Sequence, residues 1–372
     1  MKISEMLARE DFYAILPQTL NHYAEFLGIE PGSVTVLGKG ETADLYVNEK
    51  LNAIIASKPS KQVKDYLRTE YTVAGSPLRK MAVAAYLTAA MTFVKSNAQR
   101  GLKIKLNGDV DDILIYPCNK KIRLFDFSSG VVYTVLKEGF PDIYIKRETE
   151  FRLKHEAAFI PKITRNGDGC YSETIIRNGR PLARIQDAAF VEEKKRESLQ
   201  LLSSLNERPR KVMAKAYLTE LKDRCLGMLA GKEGFVAGKR VAALFDGWQK
   251  MLQDCSVDLV VSHGDFQPGN IWIDANGKII IIDWETVKER TPFYDYAALY
   301  CSLRNHGSLY NLCDRIRTNG HLSTIEGCPA DTVLSLILAE ELEYQTEELI
   351  SFPGKMGLEM YMNKIKEFET TI

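Results

Sequence analysis

The sequence feature that most constrains the fold is a hairpin signal around residue 276. Two β-prone runs, Ile271 to Ile273 and Lys278 to Ile282, flank Asn276-Gly277, a dipeptide typical of two-residue β-turns. If these two residues form the turn, Asn270 lies directly opposite Asp283, with Cβ atoms roughly 4.5 to 5.5 Å apart on one face. Amide and carboxylate oxygens are ligands that suit Mg²⁺ or Mn²⁺. The hairpin therefore predicts a metal site at Asn270 and Asp283.

A third oxygen-bearing side chain precedes this hairpin. Asp265 lies five residues before Asn270, on the loop that leads into the first strand. A carboxylate in that position can orient and deprotonate a hydroxyl beside a metal-bound phosphate. Geometry alone leaves the alternative of a turn that merely carries polar residues.

The pattern of helix-prone and strand-prone segments changes at two points along the chain and predicts three zones. Residues 1–105 mix helical and short strand patterns and are predicted to form an accessory N-terminal α/β domain. Residues 106–187 are strand-rich, with a meander over 112–116, 121–127 and 131–137, a helix over 143–159 and two further strands. Residues 188–372 carry long helical patterns around the hairpin region. The fold class is therefore α+β, with a small β-rich lobe followed by a larger helical lobe.

The motifs of residues 259–300 resemble those of a known family. The run His263-Gly264-Asp265-Phe266-Gln267-Pro268-Gly269-Asn270 and the later Ile282-Asp283-Trp284-Glu285 resemble the HGDxxxxN and IDxx motifs of the aminoglycoside phosphotransferase and choline kinase family, whose members have a protein kinase-like fold. Pro292-Phe293-Tyr294-Asp295-Tyr296-Ala297 is similar to that family's P-x-x-D-x-A segment.

The resemblance implies a role for each matching position. Asp265 is expected to be the catalytic carboxylate, Asn270 and Asp283 to hold the metal, and Asp295 to anchor the catalytic loop. Gln267 stands where many relatives carry His. His263 is expected to brace the backbone rather than to act as an acid or base.

Phosphoryl transfer also requires a cation for the nucleotide phosphates. In kinase-like folds this cation is a lysine on the third strand, paired with a glutamate on the next helix. The resemblance assigns these roles to Lys137, which ends the third strand of the meander, and to Glu148, with Glu150 and Glu156 as alternatives.

A glycine-rich segment upstream offers a rival phosphate loop. Gly38-Lys39-Gly40 lies between two strand-like runs, a pattern of low specificity when it stands alone. No clear strand-terminal lysine and helix glutamate follow it. The meander at 112–137 is therefore preferred as the nucleotide-binding roof, and the glycine-rich segment as a turn.

Composition excludes several classes of protein. Lys plus Arg and Asp plus Glu are 49 each, so bulk charge does not indicate nucleic-acid binding. The seven cysteines form no CxxC pair, which fits a reducing compartment. No secretory signal is visible, and the longest apolar run is too short to cross a bilayer. We expect a cytoplasmic protein without nucleic-acid or membrane partners; the sequence leaves its oligomeric state open.

The predicted function is that of a phosphotransferase, a small-molecule kinase. Mg²⁺ and ATP or GTP are the expected cofactor and donor, and Asp265 orients the acceptor hydroxyl. Five glutamates fall between Ala339 and Leu349 on one predicted helix. They are expected to form a solvated face, which favours an uncharged sugar or polyol over a cationic acceptor. The alternative is a non-catalytic kinase-like scaffold that binds a nucleotide or ligand.

Overall fold

The chain is described by a computed structural model that covers residues 3–71, 76–206, 208–231, 235–253, 255–303, 308–319, 322, 327–350 and 355–371. It divides into two compact units. The first unit comprises residues 1–188 and 272–282, and the second unit comprises residues 189–271 and 283–372. The observed mixture of antiparallel sheets and helices confirms the predicted α+β class.

The first unit is built on one antiparallel sheet. Its helices are α1 (Ile3–Arg9), α2 (Phe12–His22), α3 (Lys61–Glu70), α4 (Pro77–Thr92), α5 (Val94–Asn97) and α6 (Ile143–Lys154). Its sheet strands are β1 (Thr35–Leu37), β2 (Leu45–Asn48), β3 (Ala53–Ala56), β4 (Gly101–Lys103), β5 (Ile113–Pro117), β6 (Lys121–Asp126), β7 (Val131–Leu136), β8 (Ile163–Arg165) and β9 (Cys170–Thr174). Within the described residues these nine strands have the order β1-β4-β2-β3-β5-β6-β7-β9-β8.

The predicted meander is confirmed as β5, β6 and β7, which pair in sequence order. Each strand forms because apolar side chains alternate between two buried faces. Ile122 and Val135 pack into one core with α1 and α2, whereas Phe125 and Val132 pack into a second core with α3 and α4. Both faces of the sheet are therefore covered.

The predicted boundary after residue 105 does not separate two units. Strand β3, from the N-terminal zone, pairs with β5 of the meander, so the two zones share one sheet. The β-rich unit therefore includes the N-terminal residues and is not a small lobe. Its main boundary with the second unit follows Ala188, one residue from the predicted position.

The hairpin exists, but its predicted turn is wrong by one residue. Strands β13 (Ile271–Ile273) and β14 (Ile279–Ile281) form a small sheet with β10 (Arg180–Pro181). The backbone N–H of Asp274 donates to Lys278 at 3.0 Å, so Ala275, Asn276 and Gly277 form a three-residue loop. The Asp274 carboxylate accepts the N–H groups of Asn276 and Lys278, and Gly277 has a φ of +81°. This side-chain cap favours the longer loop over a two-residue turn.

The second unit is mainly helical. Its helices are α7 (Ala188–Ser203), α8 (Ala214–Met228), α9 (Phe235–Met251), α10 (Pro292–Tyr300), α11 (Leu309–Thr318), α12 (Ala330–Ile350) and α13 (Lys355–Glu369). Strand β12 (Ser256–Ser262) lies between β11 (Arg210–Met213) and β15 (Lys288–Arg290). Strand β12 ends directly before His263, so this sheet positions the start of the motif loop that carries Asp265. Among the described residues, no helix combines the length and apolar character needed to cross a bilayer.

Candidate active site

The loop after β12 is held by a buried carboxylate. The backbone N–H groups of His263 and Gly264 donate to the two oxygens of Asp295 at 2.9 and 3.0 Å. Asp295 is 3% exposed and lies in the first turn of α10. Two charge-assisted bonds to successive amides fix the direction in which the chain leaves β12. Asp295 therefore anchors the loop, as the resemblance implied.

Gly264 is required by close packing in this loop. Its φ is +81°, and an added Cβ would lie 2.5 Å from the carbonyl oxygen of Thr286 and 2.6 Å from a guanidinium nitrogen of Arg290. Its neighbour His263 is fully buried, and its Nδ1 accepts the backbone N–H of Asp265 at 3.3 Å. These contacts support the bracing role predicted for His263.

Asp265 follows this anchored pair and is only partly buried. Its Oδ2 accepts two amide hydrogen bonds, from Gln267 Nε2 and from Asn270 Nδ2, both at 3.0 Å. Sequence reasoning assigned no role to Gln267, and the only signal was that it stands where many relatives carry a histidine. The carboxylate is therefore oriented by two neutral donors, a geometry suited to a general base.

Asn270 makes a second bond that fixes its own amide. Its Nδ2 donates to the backbone carbonyl of Asp265 at 2.8 Å as well as to the carboxylate. Because the nitrogen is used in both contacts, the amide oxygen is the atom available to a cation. This is the ligand atom that the predicted metal role requires.

Asp283 occupies a strained backbone position. Its φ and ψ are 68° and 57°, a left-handed conformation that is uncommon for residues other than glycine. Its carboxylate lies within 4.8 Å of the carboxylate of Glu285, which the sequence prediction did not include. Two adjacent acidic groups offer hard oxygen ligands to a divalent cation.

The two motif segments pack together through aromatic rings, not through the predicted hairpin register. The Trp284 ring centroid lies 4.6 Å from that of His263, and Thr286 donates to the His263 carbonyl at 2.9 Å. Asp283 directly precedes Trp284 in the chain, so these contacts fix the segment that carries Asp283 against the loop that carries Asp265. The direct pairing of Asn270 with Asp283 is wrong, because the three-residue turn shifts the two strands by one position.

In the first unit, a buried lysine–glutamate pair lies beneath the sheet. Lys121 Nζ is 2.9 Å from Glu148 Oε2, and the two side chains are 6% and 1% exposed. Lys121 begins β6, and Glu148 lies on α6. Glu148 is thus buried against a lysine, as expected, while Glu150 is exposed.

The predicted pairing of Lys137 with Glu148 is wrong. Lys137 Nζ instead contacts Glu10 at 2.6 Å. The register explains the difference, because Lys121 pairs with Leu136 and therefore projects from the same face as Leu136. Lys137 follows Leu136 and projects from the opposite face, where α1 supplies the partner. Burial lowers the pKa of Lys137, and Glu10 partly restores it.

The lysine–glutamate pair belongs to a longer network of charges. Arg152 contacts Glu148 at 3.1 Å and also contacts Glu173, which accepts from Arg123 at 2.9 Å. The five side chains comprise three cations and two carboxylates. Their surplus positive charge suits a site for phosphate groups.

A cavity of the first unit adjoins this network. Arg123 and Glu173 line it together with the aromatic and aliphatic side chains of Tyr66, Phe125, Val132, Ile176, Trp272 and Ile282, and its volume of about 20 Å³ has room for about one water molecule. Two buried donors that line it, Trp272 Nε1 and Arg123 Nε, have no hydrogen-bond partner among the described residues. Buried donors without partners are costly, so a water molecule bound in this cavity would stabilise it.

The glycine-rich segment does not connect neighbouring strands. Gly38 to Gly40 lies between β1 and β2, but β4 separates these strands in the sheet. A phosphate loop of the kinase type covers its ligand from a hairpin of adjacent strands. This topology supports the preference for the meander.

The glutamates of α12 are not a solvated face. Glu340, Glu341, Glu343 and Glu348 are all less than 9% exposed, which contradicts the prediction. Glu340 accepts from Tyr217 and from both the N–H and the hydroxyl of Thr291. Burial raises its pKa to about 7. The preference for a neutral acceptor assumed that these glutamates face solvent, so it is no longer supported. The buried carboxylates are bonded within the protein, so they also do not form an exposed acidic surface for a cationic acceptor.

A partly buried carboxylate on an anchored loop and a buried lysine–glutamate pair are both features of the family whose motifs the sequence resembles. Residues 180–311 match the model of the phosphotransferase enzyme family APH. The match covers about a third of the chain and confirms the resemblance to this family that the motifs indicated.

Solved structures give a consistent but distant similarity. Choline kinase LicA from Streptococcus pneumoniae is 15% identical, with 71% of this chain and 92% of that chain covered and a TM-score of 0.41. Plasmodium vivax ethanolamine kinase is 12% identical, with 87% and 96% covered and a TM-score of 0.44. The streptomycin–ATP–APH(2″)-IIa complex is 13% identical, with 70% and 93% covered and a TM-score of 0.45. No curated protein matches the chain. Similarities of this size do not identify a substrate.

Proposed function

We propose that this chain transfers the γ-phosphate of ATP or GTP to a hydroxyl group of a small molecule. The observation that carries the proposal is the Asp265 carboxylate, oriented by Gln267 and Asn270 on a loop that Asp295 anchors. Such a carboxylate is partly exposed to an incoming hydroxyl and rigidly held. Both properties are needed for a positioned base.

The donor side is proposed for the first unit. Lys121, held by Glu148, replaces Lys137 as the cation for the phosphates, since its ammonium belongs to a network with surplus positive charge. No described contact favours adenine over guanine, so the proposed donor is either ATP or GTP.

The residues of the second unit fit a divalent cation. The Asn270 amide oxygen and the carboxylates of Asp283 and Glu285 are hard oxygen ligands of the kind that Mg²⁺ prefers. When bound, the ion neutralises charge on the donor phosphates. Asp283 would be held towards it by its left-handed backbone, and Asn270 by its bonds to Asp265.

The chemistry assigned to the chain is an in-line displacement. Asp265 accepts the proton of the acceptor hydroxyl as that oxygen forms its bond to the γ-phosphorus. The bond between this phosphorus and the bridging oxygen breaks, and the nucleoside diphosphate leaves. Lys121 stabilises the charge that develops on the departing phosphates.

The test is metal-dependent nucleotide turnover with a panel of hydroxylated compounds, including neutral sugars, polyols and amino alcohols. Asp265→Asn should reduce kcat by about 10²- to 10⁴-fold, because a positioned base is lost, while nucleotide binding persists. An exposed carboxylate on β15, Glu289, provides the matched control Glu289→Gln. Activity of Asp265→Asn within tenfold of wild type would remove Asp265 from the mechanism.

A panel in which nucleotide binds but no compound is phosphorylated would favour the scaffold alternative. In that case Asp265→Asn and wild type would bind nucleotide equally and neither would turn it over. The two outcomes are separated by measuring binding and turnover on the same samples.

A further inference from the structure

Two cysteines that are distant in the sequence meet in the second unit. Cys255 Sγ lies 2.6 Å from Cys328 Sγ, although the two residues are 73 positions apart in the chain. Both residues carry thiols. A disulfide has a sulfur–sulfur distance of about 2.05 Å, so a small rotation of the two side chains is enough to reach it. The pair is therefore placed for a covalent bond.

Hydrogen bonds hold both segments in place without help from the sulfurs. Cys255 lies directly before β12, and its carbonyl accepts the backbone N–H of Ala214 at 3.0 Å. Cys328 lies two residues before α12, whose Thr332 hydroxyl accepts the backbone N–H of Gln253 at 3.1 Å. The two segments are therefore joined beside the sulfur pair, which limits how far the sulfurs can separate.

The two sulfurs differ in their access to solvent. Cys255 is partly exposed, whereas Cys328 is 2% exposed. The Cys328 sulfur also lies 3.9 Å from the carbonyl oxygen of Ser256. A dissolved oxidant therefore reaches Cys255 first, and Cys328 is held beside it as the second thiol. An accessible thiol next to a resolving thiol is typical of redox-sensitive cysteines.

Most of the other cysteines are protected from oxidation. Burial raises the pKa of four thiols above the ordinary value, those of Cys170, Cys225, Cys301 and Cys313. A protonated thiol is a poor nucleophile, so these side chains should react slowly with a peroxide. Oxidation should therefore begin at Cys255 or at Cys118, which is partly exposed and lies in the first unit.

A bond between Cys255 and Cys328 would close a loop that contains all the motif segments. Asp265, Asn270, Asp283 and Asp295 lie between these two positions. The bond would also join the start of β12, whose other end leads into the loop that carries Asp265, to the segment before α12. A cross-link across a long loop stabilises a protein chiefly by reducing the conformational freedom of the unfolded chain.

We propose that Cys255 and Cys328 form a reversible disulfide in the presence of hydrogen peroxide, and that this bond stabilises the second unit. The Cys255 thiolate attacks one peroxide oxygen, the O–O bond breaks, and hydroxide leaves and takes up the thiol proton as water. The Cys328 sulfur attacks the resulting sulfenic acid, the S–O bond breaks, and a second water leaves. Two thiols thereby lose two electrons and two protons, and the peroxide is reduced to two waters. A dithiol reverses the reaction by thiol–disulfide exchange.

The cysteine pattern of the sequence is compatible with such a bond. It lacks a CxxC pair, but a contact between residues 73 positions apart is not visible from spacing. In a reducing compartment a disulfide of this kind is transient and is reduced again once the oxidant is consumed. We therefore expect a temporary change in stability and not a permanent cross-link.

The experiment treats the full chain with a small excess of hydrogen peroxide, blocks the remaining thiols and maps linked peptides by mass spectrometry without reductant. Wild type should yield a peptide that contains Cys255 linked to one that contains Cys328, and its thiol count in denaturant should fall from seven to five. The oxidised chain should unfold at a temperature about 5 °C or more above that of the reduced chain, because a long loop is closed. Dithiothreitol should reverse both changes.

Cys255→Ser and Cys328→Ser should each yield no linked peptides and no rise in unfolding temperature after the peroxide treatment. The matched control is Cys118→Ser, which removes another partly exposed thiol and should behave as wild type does. The mapping of wild type needs no substitution, so it stands even where a serine variant fails to fold.

Absence of the linked peptides in oxidised wild type would overturn the proposal. So would a bond from Cys255 to any other cysteine, including Cys255 of a second chain, or a Cys255–Cys328 bond that leaves the unfolding temperature unchanged. None of these measurements depends on nucleotide turnover.

Discussion

The carboxylates nearest the proposed donor and catalytic residues are held in different ways, although the second unit also contains Glu343, which contacts both Arg224 and Lys288. In the first unit, Glu148 and Glu173 each contact two cations, and Arg152 is common to both. In the second unit, Asp295 and Glu340 accept hydrogen bonds from backbone N–H groups and hydroxyls.

The difference indicates a division of tasks. A carboxylate that lies between cations fixes the positions of those cationic side chains, which can then contact phosphate groups. A carboxylate that accepts backbone N–H groups fixes the conformation of the backbone, as is required for a loop that carries a catalytic residue. Replacing Glu148 should therefore affect nucleotide binding, whereas replacing Asp295 should affect the geometry of catalysis.

The strongest test of this comparison is Asp295→Asn. The substitution keeps the shape but places an amide donor against one of two backbone N–H groups, so the loop that carries Asp265 shifts. We expect kcat to fall by about 10²-fold or more, because displacement of a catalytic group by about 1 Å has this effect. Nucleotide KM should change little. A variant with wild-type kcat and raised nucleotide KM would show that the anchor does not act through the loop.

A pair of lysine variants tests the first unit. Lys121→Met should lower kcat/KM for the nucleotide by about 10- to 100-fold, the loss expected for one hydrogen bond to a charged group. Lys137→Met should leave nucleotide KM unchanged, yet it should reduce the free energy of unfolding by about 3 kcal/mol, because Glu10 remains buried. The reverse pattern in nucleotide titrations and urea unfolding would restore Lys137 as the phosphate cation.

The smallest effect is expected in the pH dependence of stability. The pKa of Glu340 is raised from 4.5 to about 7, because burial outweighs the bonds from Thr291 and Tyr217 and the charge of Arg290. The folded state therefore keeps this proton after the unfolded chain has lost it, and stability falls as pH rises from about 4.5 to about 7.

Glu340→Gln removes this titration and should flatten the unfolding free energy over that pH range. Urea unfolding at several pH values measures the effect, with the exposed Glu25→Gln as the control. An unchanged slope would mean that Glu340 is ionised in the folded protein at low pH.

Much of the fold was predictable because its signals are local. The strands of the meander, the hairpin strands at Ile271–Ile273 and Ile279–Ile281, and the long helices follow from alternation and helical periodicity. The motifs around Asp265 and Asp283 were predictable for the same reason, since each lies within a few consecutive residues. The three-residue turn was missed because the Asp274 side-chain cap competes with the Asn276-Gly277 preference.

The failures concern partners that are distant in sequence. Lys137 and Lys121 look alike as strand-terminal lysines, and only the cross-strand register and the position of Glu10 separate them. The glutamates of α12 have a helical spacing that suits a solvated face, but Tyr217, Thr291 and Arg224 reach them from elsewhere in the chain. Gln267 and Glu285 carried no signal beyond their positions within a motif.

The hairpin of residues 272–282 belongs to the first unit although the second unit surrounds it in sequence. Its strand β13 pairs with β10, about ninety residues earlier in the chain. During synthesis the first unit therefore stays incomplete until the ribosome has passed residue 282, while α7, α8 and α9 of the second unit have already emerged. Closing such a long loop late is slow. The apolar side chains Trp272 and Ile281 reach the first unit only at that moment, and until then its edge is a target for chaperones and for aggregation.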